Sequence, residues 1–265
     1  MKLIYQISII GMVLCVTACG KEEGVENKIT CIPSGLGNHV MAFYPFSNGL
    51  LNDISGNNHH LSNTTTASPT SDRNGNDSCA YKFDNLPTSG EFLTTENTAF
   101  LNNLNEFSIS LWYQPIDSSR ASGKFESLIN RDLGNSCPDR NGQWSVALYD
   151  CRKAVFGRTN SVWDNNISSL GCEQEIIDRT NHWSHLVATF KQASIEMKIY
   201  RNGVLQESSI GNGVCGSGVL SYQDVGALFL GKDYTGKIDD VILFDKMLSQ
   251  QEVAALYNMG VCCGE

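Results

Sequence analysis

Regular alternation of apolar and polar residues is the main pattern of this chain, and it predicts strands. The clearest case is residues 106–116, where one face carries Phe107, Ile109, Leu111 and Tyr113 and the other carries Ser108, Ser110 and Trp112. A period of two is typical of a strand with one buried face. Further strands are predicted at 40–46, 80–83, 126–130, 143–149, 153–157, 183–190, 227–231 and 237–244.

Two local signals add a hairpin and a helix. Asn202-Gly203 separates alternating apolar residues, and this dipeptide favours the two-residue turn of a β-hairpin. Near the C-terminus, Ser249 and Glu252 form a capping-box pattern, followed by Val253, Leu256 and Tyr257 on one helical face. The chain is therefore predicted to be all-β, a sandwich with one short C-terminal helix, forming a single domain over residues 39–265.

The first eighteen residues are predicted to be a secretory signal. Lys2 precedes an apolar run, 3–16, which is shorter than the roughly 20 residues needed to span a bilayer. The run ends in Val16-Thr17-Ala18-Cys19, which resembles the lipobox of bacterial lipoproteins. The resemblance implies cleavage before Cys19 and a stable lipid anchor on that residue.

The segment after Cys19 is polar and is interpreted as a flexible tether over residues 19–38. Its start, Lys21-Glu22-Glu23, resembles the surface-export signal of Bacteroidetes lipoproteins. We therefore expect an outer-membrane lipoprotein exposed on the cell surface. Loss of Lys2 with the signal would change the formal net charge from −9 to −10, and so acidic a surface disfavours nucleic acid as a partner.

The cysteine count indicates disulfides. After Cys15 in the signal and Cys19, eight remain, and an even number in an exported chain is typical of a disulfide framework: Cys31, Cys79, Cys137, Cys151, Cys172, Cys215, Cys262 and Cys263. Zinc-type spacing with histidines is absent. Cys31 paired with Cys262 or Cys263 would join the two ends of the domain, and Cys137 with Cys151 is a second candidate.

Six short motifs in order resemble the concanavalin A-like laminin G domains of bacterial surface proteins. They are 41–46 (MAFYPF) with 51–58 (LNDISGNN), 80–84 (AYKFD), 107–113 (FSISLWY), 182–190 with 200–203 (YRNG), 236–241 (GKIDDV) and 248–253 (LSQQEV). The resemblance covers nearly all of residues 39–258. It implies a jelly-roll sandwich of two antiparallel sheets, with the first and last strands side by side. The long polar region 131–181 departs from the family pattern.

The same resemblance implies a possible structural Ca²⁺ ion between an early loop and a late strand. The ligands would be Asp53, Gly56, Asn57, Asn58, Asp239 and Asp240, and carboxylate, amide and carbonyl oxygens suit Ca²⁺. The alternative interpretation of the early loop is an ordinary turn, because Asp, Ser, Gly and Asn close turns without any metal.

A glycoside hydrolase is the enzymatic alternative, and its residue pattern is not found. Such enzymes need two carboxylates across the scissile bond. Glu173 and Glu175 fall in a predicted loop, and the adjacent Asp239 and Asp240 would point to opposite faces of a strand. The histidine pair, His182 and His185, is interpreted as structural because no nucleophile motif accompanies it.

Aromatic residues in or near the departing region are the candidate ligand contacts. Trp144, Tyr149, Trp163 and Tyr222 could provide stacking faces for a sugar or a protein, although Trp144 and Tyr149 also suit a strand core. The predicted function is a non-catalytic, surface-anchored module that recognises a glycan or protein ligand. A polysaccharide-acting enzyme and a structural or adhesion subunit of a surface complex are the alternatives.

Overall fold

The computed structural model describes residues 29–85, 90–95, 97–102, 104–116, 125–131, 143–149, 152–158, 164–165, 180–210 and 226–264. Several predicted site residues lie outside these ranges: Cys19, Trp163, Tyr222, Cys137, Cys151, Cys172 and Cys215, together with Glu173 and Glu175. The signal sequence and residues 19–28 of the tether also fall outside them.

The described residues form strands almost throughout. In chain order they are β1 (Val40–Tyr44), β2 (Ser68–Thr70), β3 (Ala80–Phe83), β4 (Leu93–Thr95), β5 (Glu106–Pro115), β6 (Phe125–Arg131), β7 (Trp144–Tyr149), β8 (Lys153–Arg158), β9 (Asp164–Asn165), β10 (Ser184–Lys191), β11 (Glu196–Arg201), β12 (Val204–Ile210), β13 (Leu228–Leu230) and β14 (Gly236–Phe244). Short 3₁₀ turns lie at Gly37–His39, Ser47–Gly49 and Ala99–Leu101, and one α-helix, α1, spans Gln250–Tyr257.

The strands build two antiparallel sheets. Sheet A has eight strands in the order β12-β11-β10-β5-β14-β3-β2, with β1 also paired to β14. Sheet B has six strands in the order β4-β13-β6-β7-β8-β9. The first strand thus lies beside the last, as the family resemblance implies, and the architecture is the predicted all-β jelly-roll sandwich.

Strand β5 shows how the alternating pattern places the core. Its apolar face, with Phe107, Ile109, Leu111 and Tyr113, joins the main apolar cluster between the sheets. Its other face carries Ser108, Ser110 and Trp112 on the outer side of sheet A. Helix α1 covers part of that outer side, over a second apolar cluster that includes Phe43, Val187, Tyr200, Ile242 and Phe244.

Helix α1 begins as the sequence predicts. The Ser249 side chain accepts a hydrogen bond from the Glu252 backbone N–H, and the Glu252 carboxylate accepts one from the Ser249 N–H, completing the capping box. Val253 and Leu256 are buried, whereas Tyr257 stays 37% exposed at the edge of the helix. Among the described residues, no helix is long and apolar enough to cross a membrane.

The predicted hairpin is confirmed. Asn202 and Gly203 have φ values of 51° and 78°, and Arg201 pairs with Val204 across them. Positive φ at both central residues matches the type I′ turn that follows the twist of the two strands. The turn joins β11 to the edge strand β12.

The predicted tether extends too far into the domain. Within residues 29–38, Ile32 and Leu36 are buried in the second apolar cluster, and Cys31 is bonded to Cys262. Apolar side chains and a covalent link therefore hold a segment that its polar composition predicted to be free. The neighbouring Cys263 is bonded to Cys79, so the adjacent cysteines have separate partners.

Candidate functional site

A bulge in β14 brings two aspartates onto one arginine. The register with β5 shifts between Asp239 and Ile242, and Asp240 has a φ of 43°. The prediction that the two aspartates point to opposite faces is wrong, because the extra residue of a bulge re-aims a side chain. Both carboxylates instead accept hydrogen bonds from Nη1 of Arg73, at 2.8 and 2.6 Å.

Arg73 is held on several sides. Its Nη2 donates to the carbonyl oxygens of Gly260, at 2.7 Å, and Met259, at 3.4 Å. Its guanidinium carbon lies 4.5 Å from the ring centroid of Trp112. The side chains of Arg73, Asp239 and Asp240 are only 8%, 2% and 1% exposed. The loop after β2 is thereby fastened to β14 and to the C-terminal segment.

Two buried carboxylates, each of which can carry a negative charge, share one positively charged guanidinium. The pKa values of both are raised. Burial, together with the charge of Asp240, raises the pKa of Asp239 well above its usual range. Burial raises the pKa of Asp240 to about 6, although Arg73 opposes the shift. A proton is therefore more readily retained on this pair than on exposed aspartates.

The loop that carries the other predicted metal ligands is held by hydrogen bonds of its own. Both oxygens of Asp53 are occupied, since they accept bonds from the backbone N–H groups of Phe43, Ser55 and His59 and from the Ser55 hydroxyl, all at 2.9 Å. The Asn57 amide donates to carbonyl oxygens of β1. Gly56 and Asn58 have φ values of 90° and 61°, as turn residues do.

These residues do not fit a Ca²⁺ ion in this arrangement. Both oxygens of Asp53 already accept hydrogen bonds from protein donors, and Arg73 already supplies the positive charge between Asp239 and Asp240. Among the described residues, the one cluster of three potential ligands is Asp72, Cys79 and Cys263, and both of its sulfurs belong to a disulfide. The alternative interpretation of the early loop, a turn closed by its own side chains, agrees with the structure.

Chelation is therefore expected to leave the domain's stability unchanged. Thermal unfolding of the purified chain should give the same Tm with excess EDTA as with millimolar calcium, because protein donors already bind the Asp53 oxygens and Arg73 already bridges Asp239 and Asp240. A fall of several degrees in EDTA, together with bound calcium in elemental analysis, would show that a metal does stabilise the fold.

The buried carboxylates of the described residues are bonded to neighbouring backbone groups and side chains. Besides the three already described, Asp72, Glu91 and Glu126 are buried. Asp72 accepts bonds from the Asn74 and Asn76 backbone, Glu91 binds the Thr66 hydroxyl and the Asp84 N–H, and Glu126 binds Arg152 at 3.2 Å. Each of the six buried carboxylates in this part of the chain thus has at least one oxygen in a hydrogen bond or an ion pair with another residue.

The two histidines differ in environment. His185 is buried, its Nε2 lies 2.8 Å from the Ser110 hydroxyl, and burial followed by the charge of Arg73 lowers its pKa to about 3. It is a neutral core histidine packed against Trp112, as its structural interpretation predicts. His182 is exposed, and its Nδ1 lies 3.1 Å from the Thr180 carbonyl oxygen.

Of the predicted aromatic contacts, Trp144 and Tyr149 lie in the described residues, on opposite faces of sheet B. Trp144 is buried between the sheets, with its ring 5.8 Å from that of Phe107, so it is a core residue and not a ligand contact. Tyr149 follows Leu148 on the opposite, outer face and is 39% exposed. Its cross-strand partner Phe125 lies beside it, with ring centroids 6.5 Å apart.

A second aromatic pair extends the outer face of sheet B. Phe229 of β13 meets Phe92 edge-on at 5.2 Å, and the Lys232 ammonium lies 4.6 Å over the Phe229 ring. Between the two pairs, Ser127, Asn130 and Ser145 are buried. The accessible contacts of this face therefore come from its aromatic ends, above all Tyr149.

Arg73 is the residue that sequence reasoning missed. It stands in the turn-rich string Ser71-Asp72-Arg73-Asn74-Gly75, with no spacing that relates it to β14. Its partners Asp239 and Asp240 lie 166 and 167 positions away along the chain. Only the packed sheet brings them together.

Comparison with known proteins places the chain in a family. Residues 87–254, more than half of the chain, match the model described as the concanavalin A-like lectin/glucanases superfamily, of the Laminin_G_3 type. The chain belongs to this superfamily. No curated protein sequence matches it.

Solved structures share the fold at low identity. The botulinum neurotoxin serotype D binding domain has a TM-score of 0.63 and 17% identity, and the binding domain of Paraclostridial Mosquitocidal Protein 1 has 0.64 and 18%; each comparison covers 84% of this chain and 52% of the other. The botulinum neurotoxin DC binding domain, solved with rat synaptotagmin II and with SialylT, gives 0.61 and 0.60 at 17% identity, over 84% of this chain and 52% of that domain. This chain thus spans about half the length of the structures it matches.

Proposed function

We propose that this chain is a non-catalytic binding module, held on the outer membrane by lipid on Cys19, that recognises a glycan or a protein at the cell surface. The observation that carries the proposal is a contrast between the buried carboxylates and an exposed aromatic side chain. The buried carboxylates of the described residues are used in hydrogen bonds and ion pairs, whereas an exposed aromatic ring, Tyr149, stands on the outer face of sheet B.

The similar structures support a binding role over an enzymatic one. They are binding domains, and one was solved with a protein, rat synaptotagmin II, and with SialylT. An aromatic side chain on a rigid strand offers a large contact area at a low entropic cost. Tyr149, with Phe125 beside it, is accordingly the contact we nominate.

Replacing Tyr149 by alanine tests that assignment. The purified mature chain is first screened on a glycan array and against solubilised cell-envelope proteins, and the strongest hit becomes the probe. We expect Tyr149→Ala to weaken binding of that probe by about 2 kcal/mol, roughly a 30-fold rise in Kd, because central aromatic anchors carry much of an interface's energy. Its Tm should stay within a degree or two, since the ring is exposed.

Tyr257→Ala is the matched control, because Tyr257 is exposed to nearly the same extent but lies on the outer side of sheet A. It should leave Kd unchanged. Equal weakening by both variants would contradict the nominated face. Release of reducing sugar from a polysaccharide panel would contradict the non-catalytic assignment. The anchor is tested separately, by mass spectrometry of the mature N-terminus for acylated Cys19.

A further inference from the structure

The chain enters the domain on the outer side of sheet A, the side that carries α1. Ile29 packs against the second apolar cluster together with Met259, and Leu256 of α1 lies in that cluster. The Cys31–Cys262 disulfide fixes this arrangement covalently. The ten steps from Cys19 to Ile29 span at most about 35 Å when fully extended. A lipid on Cys19 therefore keeps this side of the domain close to its membrane.

Exposed apolar side chains collect on the same side. Of the five large apolar residues that are exposed in the described part, Leu205 at 41% and Tyr257 at 37% lie on this side. A third, Val204, pairs with Arg201 and points to the other face of sheet A. We call Leu205 and Tyr257 the turn–helix patch. Leu205 pairs with Tyr200, whose side chain is buried in the second cluster, so Leu205 shares the outer face of sheet A.

The turn and the helix are fastened to each other. Gln250 Nε2 donates a 2.6 Å hydrogen bond to the Gly203 carbonyl oxygen. A Cβ at Gly203 would come within 3.1 Å of the Tyr257 side chain, so backbone and ring are already in close contact. The β11–β12 turn and the end of α1 therefore form one surface.

A stack of rings beneath the patch holds Tyr257 in place. Its ring lies nearly parallel to Trp112, with centroids 5.7 Å apart and an angle of 20°, and 6.1 Å from His185 at 29°. Arg73 also contacts the Trp112 ring of this stack. A rigid tyrosine with a polar tip suits the boundary between lipid headgroups and acyl chains.

Three acidic side chains on this face are paired with lysines, although the whole chain is acidic. Glu106 is paired with Lys191, Glu196 with Lys198 and Glu252 with Lys246, at 2.6–2.7 Å. Two further lysines, Lys82 and Lys237, oppose each other across β3 and β14. An acidic protein that presents paired charges and additional lysines on one side meets less repulsion from anionic headgroups there than on its other sides.

We infer that this side of sheet A is the membrane-facing side of the domain, with the turn–helix patch resting on the bilayer that holds the Cys19 lipid. The inference rests on the lipid anchor proposed above. Sheet A is about 30 Å wide, from six strand spacings of about 4.8 Å, so the patch lies within the reach of the tether. Sheet B and Tyr149 then face away from the cell, where an external ligand arrives.

The patch acts only together with the anchor. Two partly exposed side chains bury too little apolar surface to hold the domain on a membrane alone, whereas a tethered site experiences an effective concentration in the millimolar range. The mature chain without lipid is expected to stay in solution when mixed with vesicles of phosphatidylethanolamine and phosphatidylglycerol, and the acylated chain is expected to sediment with them.

Hydroxyl-radical footprinting of the full acylated chain on those vesicles tests the orientation. Labelling of Tyr257 should fall several-fold relative to the unacylated chain in solution, whereas labelling of Tyr149, which has almost the same exposure, should change little. Leu205→Glu should restore labelling of Tyr257, because a buried carboxylate at the lipid surface is unfavourable. Leu50→Glu, at an exposed leucine near Pro69 and outside the patch, should not restore it.

The outcomes separate the two proposals. If mass spectrometry finds no lipid on Cys19, or if the chain does not sediment with vesicles, the anchor and the orientation both fail. If the chain is acylated and sediments, but Tyr257 is labelled as in solution or Tyr149 is protected instead, the orientation alone is overturned. The binding assay with Tyr149→Ala uses the soluble chain and is independent of either result.

Discussion

Replacing Arg73 by methionine is expected to destabilise the domain by about 3–5 kcal/mol, the usual cost of removing one partner from a buried ion pair. The change leaves Asp239 and Asp240 buried without the guanidinium that now bridges them at 2.8 and 2.6 Å. It also leaves two carbonyl oxygens of the C-terminal segment without their donor. Urea unfolding followed by tryptophan fluorescence measures the loss.

Two further variants make this expectation specific. Arg73→Lys keeps the charge but cannot reach both carboxylates and the carbonyls as a planar guanidinium does, so we expect an intermediate loss. Lys237→Met removes a partly exposed cation from the same face of sheet A and should change stability by no more than about 0.5 kcal/mol. A loss below about 1 kcal/mol for Arg73→Met would mean that the charges are not buried as described.

The loss in Arg73→Met should also depend on pH. Burial already raises the pKa values of both aspartates, and removal of the cation raises them further. A raised pKa means that the folded state binds protons more tightly than the unfolded state, so the variant gains stability as the pH falls. We therefore expect a larger deficit relative to the natural chain at pH 8 than at pH 5.

Removal of the Cys31–Cys262 disulfide should cost about 3–5 kcal/mol, because the bond closes almost the whole domain into one loop. The cysteines are 231 positions apart. Cys31→Ala with Cys262→Ala is the appropriate double variant, since a lone Cys262 thiol would stand beside the Cys263 disulfide. Equilibrium unfolding in urea under non-reducing conditions measures the change.

The second disulfide provides the matched comparison. Cys79 and Cys263 are 184 positions apart, and loop-closure entropy grows only with the logarithm of length, so the two double variants should differ by only about 0.2 kcal/mol on that account. A loss below about 1 kcal/mol for either variant would contradict a stapling role for that bond. A large difference between them would point to unequal packing around the two bonds.

Local patterns of the chain were sufficient for the longer strands, the turn and the helix, whereas the short strands β2 and β4 were not predicted. The alternation in 106–116 became β5 with its predicted buried face, Asn202-Gly203 became a type I′ turn, and Ser249 with Glu252 became a capping box. Each depends on neighbours within a few positions, where side-chain periodicity and backbone preference determine the structure directly.

Less of the candidate site could be predicted from the sequence. Asp239 and Asp240 were predicted to diverge, and a bulge brings them onto one guanidinium. Trp144 suited both a core and a ligand contact, and only its position between the sheets assigns it to the core. Composition predicted a free segment up to residue 38, whereas Ile32 and Leu36 are packed.

By itself the sequence determined an all-β sandwich with one capped helix, the family to which the chain belongs, and a link between the ends of the domain through Cys31 and Cys262 or Cys263. The tertiary structure decided which of those cysteines pair, that Arg73 neutralises the carboxylates at the β14 bulge, and that the chain's entry point, α1 and the turn–helix patch share one side of sheet A. The physical reason is separation along the chain. Charge pairing, burial and shared faces depend on distances between residues far apart in sequence, and those distances exist only once the two sheets have packed.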